Sequence, residues 1–489
     1  MRRAALLVGI AVTASPVLAD DLRDALVSAY RNNPTLEAAR ANQRAVDEGV
    51  PIARAAGLPS LAGTGTYTEF LKSSPNAFTS PERALDAQVN LTVPIYSGGA
   101  VRNSVQAAET RVTAGRADLR ATESGLFAQV VAAYMDVITN QSIVGLNLNN
   151  VQVLDVNLTA TRDRFEIGDL TRTDVAQSQA RLAQARSDLR AAEANLAASR
   201  ESYIQLVGKV AADLQLPPPL PNMPESPDEA VAVALDNNPD LIAAHARTKA
   251  AGYDTDVAGA ARLPRVSVFT GVDYTDYFNT LGGAASATFN QRTTTAQAGV
   301  RATVPLFQGG LPAAQQRQAQ ARESATLEQE IGAERQVIAT VRTYYQQWRA
   351  ANEIIVSSQA AVDAATLSLE GVRAENSVGN RTILDILNAE QELLNSQTVL
   401  VRARRNAYVA GFNLLAAMGR AEAKDLGLDG GALYDPAINY KRVRGSIWDW
   451  ARDPDPKAVS TRTIDTPAQG GAISEDEVAK LAPIPKTGG

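Results

Sequence analysis

The sequence predicts an α+β membrane protein in which a β-barrel is continued by a long α-helical barrel. Each chain supplies four strands and a duplicated set of helices. Three observations lead there. An apolar stripe recurs every seventh residue at Val130, Val137, Val144, Val151, Leu158 and Phe165. The second half of the chain repeats the first at fixed offsets, and four segments alternate apolar and polar residues with period two. A straight α-helix has a period of 3.6, so a stripe held at seven marks a helix supercoiling against its neighbours. No proline interrupts the chain from Ile95 until Pro217. That helix therefore runs from near Gly99 to about Gly168, roughly 100 Å at 1.5 Å per residue.

The first nineteen residues read as a secretory signal peptide. Arg2 and Arg3 form a positive start, Ala4 to Val12 is apolar, and Val17-Leu18-Ala19 fits the small-x-small cleavage rule, predicting a mature chain from Asp20. The apolar run is shorter than the ~20 residues needed to span a bilayer. Of the 489 residues, 45% are apolar but only 5% aromatic, and alanine is prominent among the former, so helices pack closely on small side chains. A formal net charge of −6 argues against a general nucleic-acid binder. The chain has no cysteine, which excludes disulfides and a lipidated N-terminal Cys. His245 is the only histidine, so thiol catalysis and ordinary zinc sites are closed off, and no cofactor or metal is expected.

The first repeat spans 20–215. Helices over about 21–32 and 34–57 lead into a β-hairpin within 60–96. In 85–93, Leu85, Ala87, Val89, Leu91 and Val93 share one face, while 60–70 alternates more weakly. Such alternation fits either a half-buried soluble strand or an outer-membrane barrel strand. The export signal and the flanking helices favour the barrel. After the turn at Gly98-Gly99 the long helix occupies 99–167, and a tight turn at Gly168-Asp169 opens an antiparallel return helix over 171–207. There Val175, Leu182, Leu189, Leu196 and Tyr203 stand opposite Ser178, Ala185, Ala192 and Ser199, a large-and-small pairing that allows close approach.

A linker at 216–227, with Pro217-Pro218-Pro219, Pro221, Pro224 and Pro227, separates the copies. The second repeat, 228–420, has the same order: helices over about 227–237 and 239–262, a hairpin within 264–306, a long helix over 310–377 and a return helix over 381–419. Asn32-Asn33-Pro34 recurs as Asn237-Asn238-Pro239 and Leu58-Pro59 as Leu263-Pro264, 205 residues on. From Pro94 the spacing is 211, matching Gly98-Gly99 to Gly309-Gly310, Tyr134 to Tyr345, Gly168 to Gly379 and Gly208 to Gly419. A constant offset across so many landmarks marks duplication. The tail over 421–489 is rich in Gly, Pro and Asp; it is expected to lack order from Asp453, with Trp448-Asp449-Trp450 as a docking candidate.

Four strands cannot close a barrel, and an open edge in lipid leaves backbone groups unpaired. Three copies give about twelve strands, within the range of outer-membrane barrels. The predicted assembly is a homotrimer in outer-membrane lipid, with a tunnel reaching roughly 100 Å into the periplasm.

The segments Val93-Pro94-Ile95-Tyr96-Ser97-Gly98-Gly99, Arg164-Phe165-Glu166-Ile167-Gly168 with Thr173-Asp174, and Ser377-Val378-Gly379-Asn380-Arg381-Thr382-Ile383-Leu384-Asp385-Ile386-Leu387 together closely resemble the TolC family of outer-membrane efflux and secretion ducts, across residues 20–420. The resemblance implies a non-enzymatic exit duct of a tripartite pump, serving type I protein secretion, multidrug efflux or both. Its partners are a periplasmic adaptor and an inner-membrane transporter of ABC or RND type, docked through tips at Gly168, Asp169, Gly379 and Asn380. It also implies a periplasmic gate in which Thr173 and Asp174 accept links donated by Arg381, while Asp385 projects into a constriction ring. Where the family's type member has a Tyr before the second tip and a further ring Asp after it, this chain has Asn376 and Asn388. On the residues alone, Asp174 also suits a bare helix-dipole role, and Asp385 a solvated carboxylate. Arg381 near a helix start is unfavourable for the dipole, which points to a tertiary partner. A periplasmic coiled-coil protein without a pore is the alternative reading. An exported hydrolase needs a nucleophile–base pair or metal cluster that the sequence does not offer.

Overall fold

The computed structural model describes residues 21–72, 81–428 and 433–473. The expected signal peptide, 1–19, and the last part of the tail lie outside them. The first copy contains α1 (Leu22–Asn32), α2 (Pro34–Asp47), α3 (Gly49–Ala55), β1 (Ser60–Glu69), β2 (Arg83–Tyr96), α4 (Ala100–Glu166) and α5 (Arg172–Val207). The second contains α6 (Pro227–Asn237), α7 (Pro239–Gly259), β3 (Arg265–Asp276), β4 (Arg292–Thr303), α8 (Leu311–Ser377) and α9 (Ile383–Ala417), followed by α10 (Pro436–Val443). The helix expected in one piece over 34–57 is divided at Glu48, because the Pro51 ring lacks an N–H and crowds the carbonyl four residues back.

The strands form one antiparallel sheet in the order β1-β2-β3-β4. β2 runs further than the expected 85–93, through Pro94, and a register shift between Pro94 and Tyr96 absorbs the missing N–H. β1 and β4 have one free edge each, and side chains on both faces are mostly exposed.

α4 and α8 each have 67 residues, which makes them about 100 Å long. On α4 the heptad stripe is buried at Val130, Val137, Val144 and Leu158, half-buried at Val151 and exposed at Phe165 beside the turn. Facing it, α5 buries Ser178, Leu182, Ala185, Leu189, Ala192, Leu196, Ser199 and Tyr203. α8 is less covered: Ile354, Val356 and Leu367 lie in the open.

The duplicated Asn-Asn-Pro has a physical cause. Asn33 caps α2 by accepting from Thr35 N–H at 2.9 Å, and its Nδ2 donates to the Leu206 carbonyl at 2.9 Å. Asn238 caps α7 in the same way and donates to the Ala417 carbonyl at 2.8 Å. One side chain thus joins the start of a short helix to the end of a return helix, and two helices stack into one column. The paired tyrosines hold the linker: Tyr134 donates to the Gln215 carbonyl at 2.6 Å and Tyr345 to the Glu225 carbonyl at 2.8 Å. Asn33→Ala or Asn238→Ala, each losing a cap and stranding a carbonyl, is expected to cost about 2 kcal/mol. Asn→Asp, which keeps only the cap, should restore about half of it in thermal melts. Full recovery in Asn→Asp would show that the stacking bond contributes nothing.

The tail departs from expectation. Asn439 of α10 donates to the buried Asp47 at 2.8 Å, and the Arg40 guanidinium lies 4.4 Å from the Tyr30 ring centroid and 5.0 Å from that of Tyr434. Further on, the Gln469 N–H donates to Glu201 Oε1 at 2.8 Å, Arg200 donates to the Gly470 carbonyl at 2.7 Å, and Ile473 packs on the core. The disorder expected from Asp453 is therefore corrected for residues 453–473, which lie along α5. Their composition has no apolar period because their order comes from backbone and side-chain bonds to that helix. Trp448 and Trp450 stay exposed and do not dock within the protomer.

Candidate functional site: the two helix tips

The ends of α4 and α8 furthest from the sheet turn in the same way. The Asp169 N–H donates to the Arg164 carbonyl at 2.9 Å and the Gly168 N–H to the Phe165 carbonyl at 3.0 Å. In the second tip Asn380 donates to Glu375 at 2.9 Å and Gly379 to Asn376 at 3.0 Å. This double closure is a Schellman motif, and it needs a left-handed residue at Gly168 and Gly379, which have φ of +83° and +81°. Each following helix opens on a capping box. Thr171 and Asp174 exchange side-chain and backbone bonds at the start of α5, and Thr382 and Asp385 do so at the start of α9.

The charges across the two turns are reversed. In the first tip Arg164 of the long helix pairs with Asp169 of the turn at 2.6 Å. In the second, Glu375 of the long helix pairs with Arg381 beyond the turn at 2.6 Å. Of the residues singled out by sequence, Asp174 and Asp385 are thus held in caps and Arg381 in a local ion pair. Thr173 is exposed and makes no side-chain hydrogen bond among the described residues. Within one protomer no hydrogen bond or ion pair joins Arg381 to Thr173 or Asp174 among the described residues. Asn376 closes the second turn by donating to the Arg381 carbonyl at 2.7 Å, and Asn388 accepts from Arg181 of α5 at 2.8 Å.

Sequence reasoning missed a buried link near the tips. Glu390 of α9 is 6% exposed and accepts from Asn157 of α4 at 2.9 Å and from Arg373 of α8 at 3.1 Å. It joins both long helices through one carboxylate. The available signal was a Glu sitting at helical spacing between Leu387 and Leu394, inside an apolar face.

Residues 25–209 and 230–420 match the family model described as outer membrane efflux protein. The chain belongs to the outer membrane efflux protein family. It is 35% identical to the outer membrane efflux protein BepC of Brucella suis over 92% of this chain and 96% of that one. Identity to TolC of Escherichia coli is 26%, covering 86% of this chain and 87% of TolC. The fold matches the outer membrane protein VceC of Vibrio cholerae with a TM-score of 0.70 at 22% identity, over 81% of this chain and 96% of that one. As a member of this family the chain is an outer-membrane exit duct.

Hydrogen bonds set the protonation of this efflux-family tip. The Thr171 hydroxyl, and then its N–H, hold Asp174 below the ordinary carboxylate range. The Thr382 N–H and then its hydroxyl do the same for Asp385. A carboxylate with a lowered folded-state pKa stabilises above its unfolded value, near about 4, and that stabilisation is lost as pH falls through the folded value. Both helix starts are therefore expected to fray in acid. Hydrogen exchange at 172–176 and 383–387, corrected for intrinsic rate, should speed up below about pH 4. Asp174→Asn and Asp385→Asn should remove the pH dependence; its persistence in both would rule out the caps as its source.

Proposed function

We propose that three copies of this chain close a single duct, with twelve strands in outer-membrane lipid and the helix columns continuing as a periplasmic tunnel. The sheet carries this reading. A four-stranded sheet with two free edges and two bare faces cannot persist in lipid by itself. Ile354, Val356 and Leu367 on α8 give a neighbouring copy apolar surface to cover.

At the inner end, the turns at Gly168-Asp169 and Gly379-Asn380 dock a periplasmic adaptor joined to an inner-membrane transporter of ABC or RND type. Relatives named for alkaline protease secretion in Pseudomonas aeruginosa and for efflux in Brucella suis support export of proteins, small molecules or both. Between neighbouring helix pairs Arg381 leaves Glu375 and donates to Thr173 and Asp174, holding the end shut. Three Asp385 carboxylates form a ring that favours cations at close range. In planar bilayers Arg381→Ala and Asp174→Ala are expected to raise single-channel conductance. Thr171→Ala, which breaks only the cap, should raise it less than Asp174→Ala. Unchanged conductance in both latch variants would remove the latch.

A further inference from the structure

A cavity of about 420 Å³ lies among α4, α8, the end of α9 and the start of α7, where the two helices of a column meet. Small residues form part of its walls, Gly125 and Ala128 from α4, Ala333 from α8 and Ala416 from α9, beside the larger Gln336 and Tyr344 of α8. A Cβ placed on Gly125 would meet no heavy atom within 4 Å, so the space is open at that wall. Ser124 also lines the cavity; it is 4% exposed, and its Oγ has no hydrogen-bond partner among the described residues. A buried hydroxyl left unpaired costs free energy that a ligand group can recover.

Asp240, in the first turn of α7, stands exposed at the rim, and its carboxylate pairs with no cation among the described residues. The basic residue nearest along its helix, Arg247, is committed to Asp118 through two contacts of 2.6 Å. Crowding by the surrounding helices and then repulsion from Asp118 hold the Asp240 carboxyl above the ordinary range, against a weaker attraction from Arg247. A helix start usually favours an anion. Here the Asn238 side chain already takes the Asp240 and Leu241 N–H groups, and the charge at the rim is negative. The volume and a lining that mixes apolar walls with polar groups such as Ser124, Gln336, Thr340 and Asn413 match a small-molecule site.

We propose that this cavity binds an amphipathic organic cation. The apolar body lies between the alanine walls, a polar atom of that body meets the Ser124 hydroxyl, and the cationic group is held at Asp240. The site is in the wall of the duct, away from the tips, and its occupancy can be measured without conduction.

The test uses the purified full chain in lipid nanodiscs, with rhodamine 6G as the cationic probe and Nile red as a neutral one, followed by fluorescence anisotropy against empty discs. Asp240→Asn is expected to weaken rhodamine 6G binding by at least about tenfold while leaving Nile red unchanged. Gly125→Leu, which fills the cavity, should abolish binding of both with an unchanged melting temperature. If that variant does not fold, Ala333→Leu fills the space from the opposite helix. No rhodamine 6G binding above empty discs, or equal affinity in wild type and the filling variant, would overturn the site. An equal loss of both dyes in Asp240→Asn would overturn the preference for a cation.

Discussion

Gly419→Ala is expected to destabilise the protein by about 3–4 kcal/mol. Gly419 has φ +70°, where an L side chain already costs about 1–2 kcal/mol. The added Cβ would also stand 2.3 Å from the Asn237 carbonyl oxygen and 2.6 Å from its carbon. Both are backbone atoms at the α6–α7 junction, pinned by the bond from Asn238 to Ala417. Relief requires unstacking α7 from α9. The matching position in the first copy supplies the control. Gly208 has φ +82°, but its Cβ would meet the Thr461 Oγ1 at 3.0 Å, the tip of a side chain that can rotate away, and the Asn32 Cβ at an ordinary 3.8 Å. Gly208→Ala should therefore cost only the conformational term. Calorimetric melts of the two variants differing by less than a degree or two would show that the stacked junction does not resist.

The second large effect is placed near the tips. Arg373→Ala leaves the Glu390 carboxylate buried with the Asn157 amide as its remaining partner. Stranding a buried charge costs about 3–5 kcal/mol, and the value here belongs at or just below that range because Arg373 itself is half exposed. The loss should be local: amide exchange in α9 speeds up over 383–394 and stays slow over 403–415. Adding Glu390→Leu to Arg373→Ala removes the stranded charge and should restore most of the protection. Accelerated exchange along the whole of α9, or no recovery in the double variant, would contradict this account.

Most of the architecture was legible because its causes are periodic. A seven-residue stripe specifies a supercoiled helix wherever it occurs, and the offsets of 205 and 211 carry each turn of one copy onto the other. The repeated glycines at 98–99, 168, 208, 309–310, 379 and 419 all have positive φ, so the landmarks mark backbone needs rather than coincidence. What escaped was aperiodic. The tail's order along α5 rests on bonds such as Arg200 to the Gly470 carbonyl, for which local composition carries no signal. Glu390 drew no expectation, because the Arg and Asn that satisfy it come from two other helices. Asp174 and Asp385 showed a different limit. Thr-x-x-Asp is legible as a capping box, but the same carboxylates were offered as gate members, and a side chain's second engagement is set by a neighbour that no local pattern describes.

One consequence of the matched long helices concerns how such a protein can change in length. α4 and α8 contain the same number of residues, so both hairpins reach equally far from the glycine pairs that start them. Deleting one residue from either alone would withdraw that end by about 1.5 Å and swing it about 100° around its axis, turning the charged hairpin away from whatever it meets. Depth of reach is therefore a quantity the two halves own jointly. A descendant with a longer or shorter stalk must alter both halves together, in steps of about seven residues that return each hairpin to its original bearing.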